Sequence, residues 1–352
     1  SSMIYSYVRN NLKTNKWFIL LLEICSFVLI GTKEWACSYY GTFSLLTMFM
    51  PLYMILINCY LENKKDRMFK LLIILVTIGL NALGSTQIYL CTMIITSYIC
   101  YELVTNKKIN IEDYILFLLP ILVMASIFRM SIKLLIISVL GFIICYVFRK
   151  YINNLLNKIG KYLIIIVPIG FTVLNYMYGY GFNWKYSSGY GILVFNLLMT
   201  GVLIYLLIKK VKLPSYLYVF IFVVLIYFNP LVGGFICKFI TSKESYYRLF
   251  YITKNPLVIM ILFYTLYNYF KKTKIFKYGL LICILGLTGL YGIKMLKLTF
   301  LNDHYFVNYN YLARDSYYNI GLGNYLKTLD DGSRVLTMSY SARSYNPKLV
   351  QN

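Results

Sequence analysis

One short segment between two long apolar stretches, residues 229–256, carries an unusual set of side chains. Its basic residues are Lys238, Lys243, Arg248 and Lys254. A phosphate group at a membrane surface needs fixed positive charge and N–H donors, and arginine offers both in a planar fork. We therefore predict that Arg248, with Lys238 and Lys243, binds a phosphate or pyrophosphate group. The alternative is that Arg248 pairs with Glu244 one helical turn away while the lysines face water.

The same segment has the marks of a folded loop. Pro230 and Pro256 stand near its two ends, where each lacks an N–H and restrains the residue before it. Thr241 and Glu244 have the spacing of a capping box, which predicts a helix beginning near Ser242. We expect residues 229–256 to form a structured loop outside the membrane.

A second basic position, Arg129, lies with Lys133 beside a predicted tight turn between two short apolar segments. A charge there is costly unless it lines a wet cavity or extends to the headgroup region. We predict that Arg129 helps to bind the phosphate of an anionic lipid. Simple extension of the side chain to the headgroups is the alternative.

Two acidic residues, Glu34 and Glu23, are candidate functional groups. Glu34 is the acid of the first predicted outer loop, so it is the candidate general base for transfer to an acceptor hydroxyl. Its alternative role is a surface charge pair with Lys33. Glu23 lies inside the first apolar segment, where an acid suggests function by default. It can instead be protonated and hydrogen-bonded to a neighbouring helix.

Aromatic residues fill the predicted loop at residues 178–191. Trp184 and Tyr186 are candidates for stacking on sugar rings, and an ordinary aromatic belt at the membrane interface is the alternative. We predict no metal site, because the chain has a single histidine, His304, and no C-x-x-C pair.

The elements that must position these residues follow from composition. The chain has 352 residues, of which 60% are hydrophobic and 13% charged, whereas about a quarter are charged in soluble domains. The apolar residues form continuous blocks of roughly 15 to 20, which predicts membrane helices and not an alternating barrel. The net charge of +23 does not indicate nucleic-acid binding, because the basic residues concentrate in short spacers between the apolar blocks.

We predict an all-α polytopic membrane protein with about eleven transmembrane helices. The expected segments are 17–31, 41–60, 69–84, 88–104, 113–127, 132–148, 162–178, 191–208, 214–228, 256–270 and 278–296. Alternate spacers are rich in lysine and arginine, so we assign them to the cytoplasm, which places the N-terminus inside and the C-terminus outside.

Two regions result. Residues 3–296 form the transmembrane helical domain, including the structured outer loop. Residues 297–352 are an extracytoplasmic tail in which we predict a helix at 311–329, a turn at Asp330-Asp331-Gly332 and a strand at 335–340. A segment this short buries too little surface to fold alone. It either packs on the membrane domain or, as we expect, is the truncated start of a soluble α/β domain.

Several short patterns carry a family resemblance: Asn229-Pro230, Thr241-Ser242, Tyr247-Arg248, Pro256, the turn at 84–87 and the tail sequence VLTMSYSARSYNP. They resemble a family of uncharacterised multi-pass membrane proteins of Gram-positive bacteria. Its members look like GT-C glycosyltransferases, which use polyprenyl-phosphate sugars and have many membrane helices followed by an outer domain. Such enzymes usually carry an acid or an acidic pair in a sizeable first outer loop. Here that loop is short and offers Glu34 alone.

Three functions remain open from the sequence. The first is a GT-C-like glycosyltransferase of the cell envelope in the bacterial plasma membrane, with a lipid-linked sugar as substrate and no cofactor. The second is a lipid or solute transporter, or flippase, coupled through Glu23. The third is a non-catalytic partner of an envelope assembly complex. Membrane lipids are partners in all three, the third implies further protein subunits, and none involves nucleic acid.

Overall fold

The protein is described by a computed structural model. The described residues are 2–12, 14–30, 49–63, 66–82, 85–105, 109–128, 130–182, 190–241, 246, 249–253, 255–271, 273–296, 325, 328, 334–335 and 350–351. Helices dominate them. In chain order they are α1 Ser2–Asn11, α2 Lys16–Ile30, α3 Met50–Glu62, α4 Arg67–Ala82, α5 Ser85–Thr105, α6 Ile111–Phe128, α7 Ile132–Val147, α8 Arg149–Met177, α9 Tyr190–Ile208, α10 Ser215–Ile226, α11 Pro256–Phe270 and α12 Lys274–Leu296.

Each predicted apolar segment overlaps one helix of the series α2 to α12, and residues 41–48 of the second segment lie outside the described residues. Among the described helices, three are long and apolar enough to cross a membrane, at Thr86–Thr105, Arg149–Met177 and Lys274–Ile293. The predicted helical membrane class is confirmed at that level. Crossing by the remaining helices stays a prediction.

The outer surface of the bundle is apolar. In α7 no residue is buried, although the helix consists mostly of large hydrophobic side chains. Ile137 of α7 is 66% exposed and Leu290 of α12 is 71% exposed. Soluble proteins rarely expose contiguous apolar surface of this extent. These helices therefore present the kind of surface that faces lipid.

The core is formed around α10 and α11. In α10, 10 of 12 residues are buried, and in α11 10 of 15 are, as expected of helices largely enclosed by others. α10 packs on α5, α9 and α11, while α2 packs on α11 and α12. α6 packs on α4, α5 and α7.

The helix ends that carry the basic spacers meet at one end of the bundle, which we call the basic end. Lys70 at the start of α4 pairs with Asp113 at the start of α6, with 2.7 Å between Nζ and Oδ1. The Tyr7 hydroxyl of α1 lies 2.6 Å from the Tyr216 hydroxyl at the start of α10. Four of the basic spacers therefore adjoin helix ends that are in contact with one another.

Two helical stretches were not predicted. α1 is an additional amphipathic helix whose Ile4 and Val8 are buried. α8 begins at Arg149, thirteen positions before the predicted start at 162, and has 29 residues, whereas about 20 suffice to cross a bilayer. The reason is local, since Asn153 accepts the Ile111 N–H at 2.7 Å and so anchors the first turns of α8 beside the start of α6.

The C-terminal region contributes one small element. Strand β1, Arg334–Val335, pairs in parallel with strand β2, Val350–Gln351. Val335 is the first residue of the predicted strand. The rest of that strand and nearly all of the predicted helix at 311–329 lie outside the described residues, so the predicted α/β domain stays a prediction.

Candidate functional site

The loop between α10 and α11 is folded and lies at the end of the bundle away from the basic end. We call its described part, residues 229–241, 246, 249–253 and 255, the platform. It contains a short α-helical turn at Gly233–Phe235, a π-helical segment at Ile236–Ile240 and a 3-10 turn at Phe250–Ile252. Val232, Ile236 and Leu249 are fully buried. These residues are packed and helical in part, while the prediction of a structured loop outside the membrane stays a prediction.

One side chain joins the platform to α8. Asn175, in the last turn of α8, is fully buried. Its Nδ2 donates to the Gly181 carbonyl at 2.7 Å, and its Oδ1 accepts the Phe235 N–H at 2.9 Å. Gly179 and Gly181 have φ of +73° and +54°, a conformation that favours glycine, so the chain reverses tightly after α8. Asn175 thus holds this turn and the platform together.

A row of aromatic side chains also packs the platform against the end of α8. The ring centroids of Tyr178 and Phe239 are 4.7 Å apart, and those of Phe171 and Phe235 are 5.6 Å apart. Phe235 and Phe239, one helical turn apart, are 5.0 Å from each other. Rings at these separations contribute packing beyond the area that they bury. They fix the π-helical segment against the end of α8.

A second aromatic group fills the inside of the platform. The rings of Phe228 and Phe250 stack with centroids 4.1 Å apart, and Tyr246 meets Phe250 edge-on at 5.3 Å. The Tyr246 hydroxyl donates to the Tyr227 carbonyl at 3.0 Å. The Tyr227 hydroxyl lies 2.7 Å from the Thr96 hydroxyl of α5. The platform is therefore anchored to the bundle as well as to α8.

The platform contains a helical segment before Thr241 that was not predicted. Thr241 closes the π-helical segment, because its N–H donates to the Ile236 carbonyl at 2.9 Å and its hydroxyl to the same carbonyl at 3.2 Å. The predicted helix start near Ser242 lies outside the described residues. π-Helical turns occur often at functional sites, and this one presents Lys238, whose side chain is exposed.

Of the predicted site residues, the structure describes Lys238 and Glu23. Lys238 lies on the platform, as the phosphate-site prediction requires. Six others lie outside the described residues: Glu34, Arg129, Trp184, Tyr186, Lys243 and Arg248. Their roles stay predictions, and the described part of the site consists of Lys238 on its aromatic support.

Glu23 lies at the middle of α2, Lys16–Ile30. It is 7% exposed and its Oε1 makes no hydrogen bond. Its helix packs on α11 and α12, and Ile19, Leu22 and Ser26 on the same face are buried. An ionised carboxylate in such surroundings is costly, so the neutral acid is the form that fits.

A polar network at the basic end, built on Asn58 of α3, was not predicted from the sequence. Asn58 Nδ2 donates to the Glu62 carboxylate at 2.7 Å and to the Tyr7 hydroxyl at 3.2 Å, while its Oδ1 accepts from the Ser215 hydroxyl. Burial raises the pKa of Tyr7 above its ordinary value, so its phenol is neutral. We call Tyr7, Asn58, Glu62, Ser215 and Tyr216 the basic-end network. The spacing of Asn58 and Glu62 was the one local signal for it.

The described residues offer little else for chemistry. No group of three or more His, Cys, Asp or Glu side chains among them is arranged to hold a metal ion. A gap between α3, α10 and α11 is lined by apolar side chains and Thr253, without a carboxylate. Comparison of the chain with protein-family models, curated proteins and solved structures finds no match, so the family resemblance rests on the sequence patterns alone.

Proposed function

We propose that this is a bacterial plasma-membrane protein of GT-C-like architecture, which transfers a sugar from a polyprenyl-phosphate carrier at the outer membrane surface. The observation that carries the proposal is the packed platform, which presents an exposed lysine at the end of the bundle away from the basic end. The positive-inside rule assigns the basic end to the cytoplasm. The platform then faces the side where lipid-linked sugars are used in the cell envelope.

Each predicted residue has a defined role in this reaction. Arg248, Lys238, Lys243 and Arg129 hold the carrier phosphate and stabilise the charge that develops on it as the sugar departs. Trp184 and Tyr186 stack on the sugar. Glu34 takes the proton of the acceptor hydroxyl as its oxygen bonds to the anomeric carbon. The bond from that carbon to the phosphate oxygen breaks, and its electron pair leaves with the phosphate.

The distribution of acids limits the choice of base. The described acids are Glu62, Asp66, Glu102, Glu112 and Asp113 around the basic end, and Glu23 in the middle of α2. None of the five at the basic end belongs to the platform. Under this proposal the base therefore comes from elsewhere in the chain, and Glu34 is the residue assigned to it.

The test uses the protein in vesicles with a radiolabelled polyprenyl-phosphate sugar. Arg248→Gln is expected to lower carrier binding and kcat/KM at least about tenfold, since a lost hydrogen bond to a charged group costs roughly 1.5–3 kcal/mol. Glu34→Gln is expected to lower kcat while carrier binding persists. Lys209→Gln, an exposed change at the basic end, is the control. Failure of the unaltered protein to bind or transfer the sugar, or equal behaviour of all three variants, contradicts the proposal.

A transporter is the second candidate function, and Glu23 is the observation that favours it. A neutral acid inside the membrane can load and release a proton. We expect dicyclohexylcarbodiimide, an apolar reagent for protonated carboxyls, to label Glu23, and labelling to disappear in Glu23→Gln. Mass spectrometry of peptides from α2 measures this, with the exposed Glu62 as internal control. If Glu23 is unlabelled, or if a water-soluble carbodiimide labels it equally well, a buried proton site is ruled out.

A further inference from the structure

Three helix ends form a corner at the basic end: the start of α2, the end of α11 and the start of α12. The described basic residues there are Lys16, Lys271, Lys274 and Lys277, and Lys272 of the same connector lies outside the described residues. Lys277 is half-buried and the other three are exposed. We call these four lysines, with Trp17, Tyr267 and Tyr278, the lysine corner.

Aromatic contacts join the three helices at this corner. Phe18 of α2 packs on Tyr267 of α11 with ring centroids 4.3 Å apart. The Lys277 Nζ lies 5.6 Å from the centroid of the Tyr267 ring and 5.5 Å from that of Tyr278. The Lys16 Nζ lies 5.7 Å from the centroid of the Trp17 ring. Ammonium groups over aromatic faces are held in place more firmly than free lysines.

The positive charge of the corner is not neutralised by the described acids. Among these residues the ion pairs are Lys70 with Asp113 and Arg149 with Glu112, and both involve α6. Glu23 is on α2 but two helical turns from Lys16, about 10 Å along the axis. The corner therefore has the charge to attract an anion from outside the chain.

Apolar surface lies directly beside this charge. Trp17 is 66% exposed, and Ile275 and Phe276 in the first turn of α12 are 83% and 59% exposed. A small inorganic anion or an acidic peptide would satisfy the lysines and leave these side chains uncovered. A phospholipid covers both, because its acyl chains pack on apolar side chains while its phosphate meets the ammonium groups.

We propose that the lysine corner binds the headgroup of an anionic phospholipid, with its acyl chains against Trp17 and the first turn of α12. This inference does not depend on the proposed glycosyltransferase activity, since it concerns the opposite end of the bundle.

The chain provides a matched control at the same end. The connector between α9 and α10 carries Lys209, Lys210 and Lys212, of which Lys209 lies over the Tyr205 ring at 5.6 Å. Removing three charges there lowers the net charge as much as removing Lys271, Lys274 and Lys277. The comparison separates a specific site from general attraction to an anionic surface.

The experiment follows quenching of Trp17 fluorescence by lipids with brominated chains. The chain has 3 Trp, so Trp35 and Trp184 are first replaced by Phe. Brominated phosphatidylglycerol is expected to quench Trp17 more strongly than brominated phosphatidylcholine at equal mole fraction. K271Q/K274Q/K277Q is expected to reduce this preference at least about threefold, since each lysine near an anionic surface contributes measurably. K209Q/K210Q/K212Q is expected to retain it.

Several outcomes overturn the proposal. Equal quenching by the two lipids in the starting protein denies a preference, and equal loss in both triple variants denies a site. Competition by inorganic phosphate assigns the lysines to a free anion, and competition by polyglutamate assigns them to an acidic protein. K271R/K274R/K277R is the control for misfolding. It keeps the positive charge and is expected to keep the lipid preference.

Discussion

Gly234→Ala is expected to destabilise the protein by about 2–3 kcal/mol, because it overfills a closely packed contact. A Cβ at Gly234 would lie 2.6 Å from Cβ and 2.7 Å from Cγ of Tyr180, and 2.8 Å from Oδ1 of Asn175. Favourable carbon contacts are about 3.5–4.0 Å. Alanine favours helix over glycine by about 1 kcal/mol, and we expect the overlap to outweigh that gain.

The neighbours of Gly234 have little freedom to move. The atoms of Tyr180 that would be struck lie next to its backbone, and its N–H donates to the Asn175 carbonyl at 3.0 Å. Both polar atoms of the Asn175 side chain are already bonded, one to Gly181 and one to Phe235. Displacing either residue would break the contacts that hold the platform to α8.

The control is Gly289→Ala on α12, where an added Cβ would meet nothing within 4 Å. It is expected to be neutral or slightly stabilising, as alanine for glycine is at an open helical position. The free energy of unfolding in bicelles, measured by steric trapping, gives the comparison. If Gly234→Ala is as stable as Gly289→Ala, the packing of the platform against α8 is not as described.

The platform and the network differ in how far the sequence predicted them. Pro230 and Pro256 are local signals, and the described residues between them include the short helical segments of the platform. The role of Asn175 was invisible, because it depends on Phe235, 60 positions away in the chain. A single polar residue near the end of an apolar run looks like any interfacial residue until the partner is known.

The helices, too, were predicted in part from the sequence. Runs of apolar residues predicted α2 to α12 because burial or lipid contact dominates their energetics. The helical stretch from Arg149 to Lys161 was not predicted, since its polar residues resemble a solvated spacer. Its Asn157 accepts the Ile109 N–H at 2.8 Å, which makes that stretch part of the helix packing. Hydrogen bonds between residues far apart in the chain produce no periodic pattern in a single sequence.

Asn58→Leu is expected to cost about 2–4 kcal/mol, because it leaves two or more polar groups without their partner. Asn58 is 4% exposed and Ser215 is 6% exposed, so neither site is well hydrated. Leucine fills a similar volume but accepts no hydrogen bond from Ser215 and offers none to Glu62. The change also removes one contact between α1 and the bundle, because Asn58 donates to the Tyr7 hydroxyl.

Asn11→Ala is the matched control, because the Asn11 side chain is exposed and bonds the Tyr7 carbonyl from within α1 itself. It is expected to change the free energy of unfolding by less than about 0.5 kcal/mol. A second readout is trypsin cleavage after the exposed Arg9. We expect it to accelerate in Asn58→Leu, because α1 then has fewer contacts with the bundle. Equal stability and equal cleavage in the two variants would refute the role assigned to the basic-end network.

A double-mutant cycle with Tyr7→Phe decides whether the network acts as a unit. Residues within one hydrogen-bond network typically couple by about 0.5–3 kcal/mol, whereas independent sites add. The Tyr7 hydroxyl contacts both Asn58 and Tyr216, so its removal should cost less once Asn58 is already leucine. Strict additivity would mean that Tyr7 is held by Tyr216 alone. In that case α1 and α10 would form the contact, and α3 would be outside it.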